Sequence, residues 1–231
     1  MTGRPRTGVP LWVLKLTMSV TGIVWAGFAL VHLIGNLKVY GGAQGFDSYA
    51  HWLRVVGYPP VPHEGVLWSL RVLLVVALVA HVAAALALAV RARRARGGVR
   101  ARHTTGRSRA AGAMLPTGLL LLVFLGLHVL DLTLGVAPAA SPQFTGAGSA
   151  GSPYANLVAS FTRPVTATFY VLAMLALAAH LWHGTVLAAN DLGVTGARAR
   201  RVMVWIAGLL AVAVVLGNAG IPLAVQMGVL S

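Results

Sequence analysis

Two histidines three residues apart, His180 and His183, stand in the stretch AHLWHG (179–184), inside an apolar run that begins after Pro164. An imidazole inside a membrane is costly and needs a partner, so an intramembrane histidine is by default a functional residue. Three further histidines share this setting: His32, His81 and His128, each within its own apolar run. Of the eight histidines in the chain, the other three (His51, His63 and His103) fall in polar connections.

Depth sorts the buried set. Counted from the last basic residue before each run, His32 follows Lys15 and His128 follows Arg109 at depths of roughly 26–28 Å, at about 1.5 Å of rise per residue. His81 precedes Arg91, and His180 precedes Asn190, at depths of roughly 15 Å from the same side. Four helices thus offer one histidine each, at two levels roughly 12 Å apart by the same rise. Two imidazoles from facing helices at one level are the ligand set of a bis-histidine haem, and helix-bundle cores hold such groups. The expectation is two b-type haems, on His32 with His128 and on His81 with His180. Small residues beside the ligands (Gly27, Gly35, Ala83–Ala85, Gly126, Ala178, Ala179, Gly184) leave room for a flat macrocycle. Zinc would need its ligands to converge at one point, and the chain has no cysteine. His183 lies about 60° around its helix from His180. His180 is therefore expected to be the ligand and His183 to contact a propionate, a quinone or a neighbouring helix, with the reverse assignment as the alternative.

The elements that position these residues are legible from hydropathy. Of 231 residues 58% are hydrophobic and only four are acidic, which excludes an ordinary soluble domain. Five stretches have the roughly 20 apolar residues that a spanning helix needs: about 11–37, 66–90, 114–136, 165–189 and 202–227. The first is expected to be a retained span and not a cleaved signal peptide. The fold expected is a single all-α transmembrane domain over 1–231, with four helices forming a two-haem bundle and the fifth flanking it. The net charge of +14 does not point to nucleic acid, because the arginines cluster in short connections. Arg4 and Arg6, the run from Arg91 to Arg109, and Arg198, Arg200 and Arg201 all fall on one side, which the positive-inside rule makes cytoplasmic; the C-terminus then lies outside. In the first outer connection, Phe46, Tyr49, Leu53 and Val56 have helical spacing and suggest a short surface helix ended by the PPVP at 59–62. The outer segment 137–164 reads as a Gly, Ala, Ser and Pro-rich connection, and no long internal repeat stands out.

On these residues the chain resembles a known family, the five-helix, two-haem cytochrome b anchors of succinate dehydrogenase from actinobacteria and Gram-positive bacteria. The resemblance rests on VHLIGNLKVYGGAQGFDSYAHWLR (31–54), VAHV (79–82), LHVLD (127–131), SPYANLVASFTRPVTATFYV (152–171) and HLWHG (180–184). Matched by motif, it implies the same pairs, His32 with His128 at the distal haem and His81 with His180 at the proximal one. It further implies a flavoprotein that oxidises succinate, an iron–sulfur subunit that delivers electrons, and menaquinone as the acceptor within the bilayer. The chain itself has no nucleotide motif, so it would conduct electrons and contribute the quinone site. A complex of higher order is also compatible with it.

Three further residues are candidates near the outer side. Arg71, one turn inside the second span, is placed to meet a haem propionate. Glu64 and His63, at the mouth of that span, could exchange protons with a quinone. Two other readings remain open at this point: an anchor that runs as a quinol:fumarate reductase, and a haem-free transporter relaying protons through its histidines, for which broken helices or a polar pore would be expected.

Overall fold

A computed structural model describes residues 8–96, 106–146 and 151–231; Arg4, Arg6, Arg100, Arg102 and His103 lie outside them. All regular structure among the described residues is helical. The order is α1 (Leu11–Asn36), a 3-10 turn (Leu37–Gly41), α2 (Gly42–Val55), α3 (Gly65–Arg96), α4 (Gly106–His128), a π-helical turn (Val129–Leu134), α5 (Pro153–Phe161), α6 (Pro164–Asp191), α7 (Ala197–Val214), a second π-helical turn (Val215–Ala219) and α8 (Gly220–Gln226). Five helical stretches are long and apolar enough to cross a membrane: Leu11–Val55 (whose spanning part is α1), Gly65–Ala95, Gly112–Leu134, Pro164–Asp191 and Ala197–Gln226. The chain is an all-α, multi-pass membrane protein.

The spans divide small from large side chains by face. Ala77 and Ala84 on α3, Ala173 and Ala176 on α6, and Ala207 and Ala211 on α7 are buried, whereas Val75, Val76, Leu172, Leu209 and Val212 on the same helices are exposed. Small residues let helix backbones approach where no hydrophobic force drives them together, and the large apolar ones face lipid. α1 packs on α3 and α6, α4 packs on α6, and α7 lies against α6 with a lesser contact to α1, flanking the four-helix group.

The two ends are built differently. At the basic end Lys15 Nζ meets Asp191 Oδ1 at 2.9 Å, and Arg91 Nη2 donates to the Val9 carbonyl at 2.6 Å. The opposite end carries a cap. Sequence periodicity anticipates α2 but not α5, which stands inside the segment read as a plain connection. α5 starts as the local sequence dictates: Ser152 is the N-cap, its Oγ accepting from Ala155 N at 3.1 Å, and Pro153 takes the first helical position. Asp47 of α2 clasps this start, accepting from Ser152 Oγ at 2.6 Å and from Tyr154 N at 2.9 Å. The largest buried apolar cluster lies beneath the cap: Val39, Leu157, Phe161, Tyr170, Ile221, Ala224, Val225 and Leu230.

The last span is one continuous stretch only in outline. Its π-helical turn brings Gly217 against α1, where an added Cβ would overlap the side chain of Leu33, itself 4% exposed. Next to it Asn36 Nδ2 donates to Asn218 Oδ1 at 2.9 Å, tying α1 to the same turn. Overpacking such a site costs about 1–3 kcal/mol. Gly217→Val should therefore lower the unfolding midpoint of the purified chain in detergent, whereas Leu216→Val, at a position 72% exposed, should leave it nearly unchanged.

Candidate functional site: two histidine pairs along the bundle

The helices bring the four histidines together as two pairs. The ring centroids of His32 and His128 are 6.0 Å apart, across α1 and α4, and those of His81 and His180 are 6.4 Å apart, across α3 and α6. The levels are linked along α1 and α4. His81 touches Thr21 of α1, and His180 touches Thr117 of α4. His32 and His128 follow eleven residues later on those helices, about 16 Å of rise, which the lean of helical side chains toward the N-terminus shortens.

Hydrogen bonding sets the tautomer of three rings. Thr21 Oγ1 gives its single proton to the Thr17 carbonyl at 2.6 Å and lies 3.0 Å from His81 Nδ1. Thr117 Oγ1 does the same, donating to the Ala113 carbonyl at 2.6 Å and lying 3.1 Å from His180 Nδ1. A hydroxyl whose proton is committed can only accept, so each Nδ1 is the N–H donor and each Nε2 keeps its lone pair. His128 follows the same logic with another partner. Tyr170 Oη donates to Asp131 Oδ2 at 3.0 Å and accepts from His128 Nδ1 at 3.4 Å. Asp131, 2% exposed, is also met by Ser160 Oγ and by Arg163 Nη2 at 3.0 Å, and Arg163 Nη2 reaches the Ala139 carbonyl at 2.8 Å. A buried carboxylate is tolerable because every partner is supplied.

These contacts expose a repeat that composition hides. α1 carries Thr21-Gly22-x5-Phe28-x3-His32, and α4 carries Thr117-Gly118-x5-Phe124-x3-His128. α3 carries ALVAH (77–81), and α6 carries ALAAH (176–180). Matched residues make matched contacts. Phe28 stacks on His32 at 5.3 Å and Phe124 on His128 at 5.5 Å. A Cβ added at Gly22 would meet His81 Cε1 at 3.5 Å, and one at Gly118 would meet His180 Cε1 at 3.4 Å, so each glycine admits a histidine ring. Two helix pairs thus form parallel repeats, which sequence alone conceals because the matched positions are scattered among interchangeable apolar residues.

The donor set discriminates among metals. Two nitrogens at about 2.0 Å from one ion put their ring centroids about 6 Å apart, close to both observed separations. No group of three or more His, Cys, Asp or Glu gathers among the described residues. A four-coordinate zinc site is thus not assembled, whereas a planar macrocycle brings four donors of its own and asks the protein for two. The residues present fit that group.

The remaining candidates lie elsewhere. Glu64 and His63 line a cavity of about 450 Å³ at the capped end, together with His51, Arg54, Val55 and Trp68. Arg54 Nε is 3.4 Å from Glu64 Oε1, and Tyr58 packs on the His63 ring at 4.4 Å between centroids. His51 and Arg54, one turn apart on α2, also face this cavity, although nothing in their spacing marks them as functional. Arg71 lies over the Trp68 ring, 4.8 Å from its centroid, beside this cavity. His183 lines a separate cavity of about 560 Å³ between α6 and α7 at the basic end, with Asn190, Arg200 and Arg201. Tyr170 and the two threonines carried no signal in the sequence beyond their polarity inside apolar runs. No family model, curated protein or solved structure matches the chain.

The threonines give a direct test. In Thr117→Val the shape stays, but His180 Nδ1–H loses its acceptor. An unsatisfied buried donor costs about 1–3 kcal/mol, so this variant should unfold earlier in detergent. Thr117→Ser, which keeps the hydroxyl, should retain most of the stability. Equal stability of all three proteins would refute the tautomer assignment.

Proposed function

We propose that the chain is the haem b-binding membrane anchor of a succinate:quinone oxidoreductase, carrying electrons from an iron–sulfur subunit to a quinone, most simply menaquinone. One observation carries this reading: two histidine pairs at two levels of one bundle, their rings 6.0 and 6.4 Å apart, with three of the four rings held by Nδ1. His32 with His128 would hold one haem and His81 with His180 the other. Bound there, two haems would supply one-electron transfer along the bundle axis. The residues position and insulate: Thr21, Thr117 and Tyr170 fix ring tautomers, Gly22 and Gly118 admit the rings, and exposed Val and Leu hold the bundle in lipid. The partners in this reading are the flavoprotein, which takes two electrons and two protons from succinate to give fumarate, and the iron–sulfur subunit. The same anchor serves a quinol:fumarate reductase running in reverse. The transporter alternative has less support, since among the described residues the polar groups gather in the histidine pairs and in the cap.

A visible spectrum of the purified chain tests the core of this. Two b-type haems are expected. His81→Ala and His180→Ala should each remove the same haem, and His32→Ala and His128→Ala the other. If His180→Ala keeps both while His183→Ala loses one, the ligand within AHLWHG is His183.

We place the basic end in the cytoplasm of a cell membrane, following its arginines, and the quinone at the cavity of Glu64, His63, His51 and Arg54. Menaquinone takes two electrons and two protons to become menaquinol. Electrons entering at the basic end then cross most of the bilayer, worth about 2.3 kcal/mol per charge per 100 mV for full crossing. An inside-negative potential favours electrons leaving the negative side, so an uncoupler should slow succinate-to-quinone turnover in oriented vesicles. Glu64→Gln should slow it as well. Turnover indifferent to both would move the quinone to the basic end, beside His183 and Arg200.

A further inference from the structure

The two histidine pairs are not equivalent, and the repeat shows where they part. Alignment on ALVAH and ALAAH puts Arg71 where α6 has Tyr170, and alignment on the Thr-Gly motif puts Gly35 where the second half has Asp131. The first half thus lacks both the phenol and the carboxylate. The second half joins them in one chain: His128 Nδ1 to Tyr170 Oη at 3.4 Å, Tyr170 Oη to Asp131 Oδ2 at 3.0 Å, and Asp131 Oδ1 to Arg163 Nη2 at 3.0 Å. In the pair of His81 and His180 the corresponding nitrogens meet threonine hydroxyls, and His81 also meets the main chain at Met18; none of these partners is a carboxylate. A π-helical turn begins at Val129, directly after His128, and holds Asp131. Such turns recur at functional sites.

We propose that Tyr170 is a positioning residue that passes the negative charge of Asp131 to His128, and so lowers the reduction potential of the centre held by His32 and His128 without changing that of His81 and His180. This rests on the haem reading. Ligating histidines gain basicity when the other ring nitrogen donates to a carboxylate. Here a phenol stands between the two, its own proton given to the carboxylate, so its oxygen is polarised toward the imidazole N–H. Added electron density on the ligand favours the oxidised iron. Arg163 and Ser160 hold Asp131 in place, the guanidinium on one carboxylate oxygen and the serine hydroxyl on the other. The threonine hydroxyls beside His81 and His180 donate to neutral main-chain carbonyls and carry no such charge.

Redox titration of the full chain, followed by its visible spectrum, tests this. Wild type should titrate as two components. Tyr170→Phe and Asp131→Asn should each raise one midpoint, by about tenfold in the oxidation equilibrium, which is about 59 mV for one electron, and leave the other in place. Asp131→Asn preserves the side-chain shape, so it keeps the test alive where Tyr170→Phe fails to assemble. A wild type that binds no haem would sink the functional reading itself. Haem-replete variants whose two midpoints match wild type would sink only the relay. Equal shifts of both midpoints, or loss of haem without a shift in the haem that remains, would make these residues merely structural.

Discussion

An imidazole buried in a membrane has two nitrogens to satisfy, and a neutral ring has only one proton with which to do it. The rest of this structure follows from how that is arranged. The bundle settles Nδ1 at three of the four paired rings with an oxygen whose own proton is already committed. Thr21 and Thr117 commit theirs to the main chain one turn back, and Tyr170 commits its proton to Asp131. Each of those three rings is left with a lone pair on Nε2, a group that hydrocarbon cannot satisfy. Pairing two such rings about 6 Å apart sets the spacing of the helices that carry them, and the rings of His81 and His180 lie close against Gly22 and Gly118, where an added Cβ would already be in van der Waals contact.

The repeat explains why the arrangement is economical. One two-helix unit brings a threonine and a histidine on its first helix and a histidine on its second. Two copies of the unit, side by side, generate both pairs: the first-helix histidines meet each other, and so do the second-helix histidines. The copies then diverge where the ends of the bundle have different work to do. The second copy has Asp131 and Tyr170 where the first has Gly35 and Arg71. His183 of the second copy stands where the first has the buried Ala84.

Much of this was legible in the sequence, for physical reasons that differ from residue to residue. The spans follow from hydropathy, because the bilayer imposes length and apolarity directly. The pairing of His32 with His128 and of His81 with His180 follows from depth, because helix rise converts residue count into distance. Helix α2 announces itself by its apolar spacing. α5 did not, although Ser152 and Pro153 are an N-cap and a first-turn proline; the surrounding glycines and alanines masked a helix of nine residues. Thr21, Thr117 and Tyr170 were illegible for a deeper reason. Their role depends on which helix lies opposite, and a single apolar run contains no record of its neighbour. The resemblance drew attention to the segment 152–171 and to LHVLD, yet it did not say that Arg163, Tyr170 and Asp131 from these two segments meet.

The polar groups are distributed unevenly along the bundle, and that unevenness bears on where chemistry can occur. Among the described residues the basic end carries an ion pair between partly exposed Lys15 and Asp191, and an arginine on a main-chain carbonyl. Neither is costly to expose, and surface pairs of this kind contribute little. At the capped end the protein buries Asp131 together with Asn156 and Ser160 of α5, roofs the bundle with α2 and α5, and clasps the roof with Asp47. Burying that many polar groups is expensive unless each is satisfied, and here each has a named partner: Asp131 and Ser160 hold one another, and Asn156 bonds Thr145 and Gly146. Such a network makes the roof rigid. The cavity lined by Glu64, His63, His51 and Arg54 lies between α2 and the start of α3 and does not include the His32–His128 pair, whose rings pack against Phe28, Phe124 and Tyr170. Under the proposed function this separates the two demands on the capped end: packed aromatic surroundings for the His32–His128 pair, and a polar rim for the quinone.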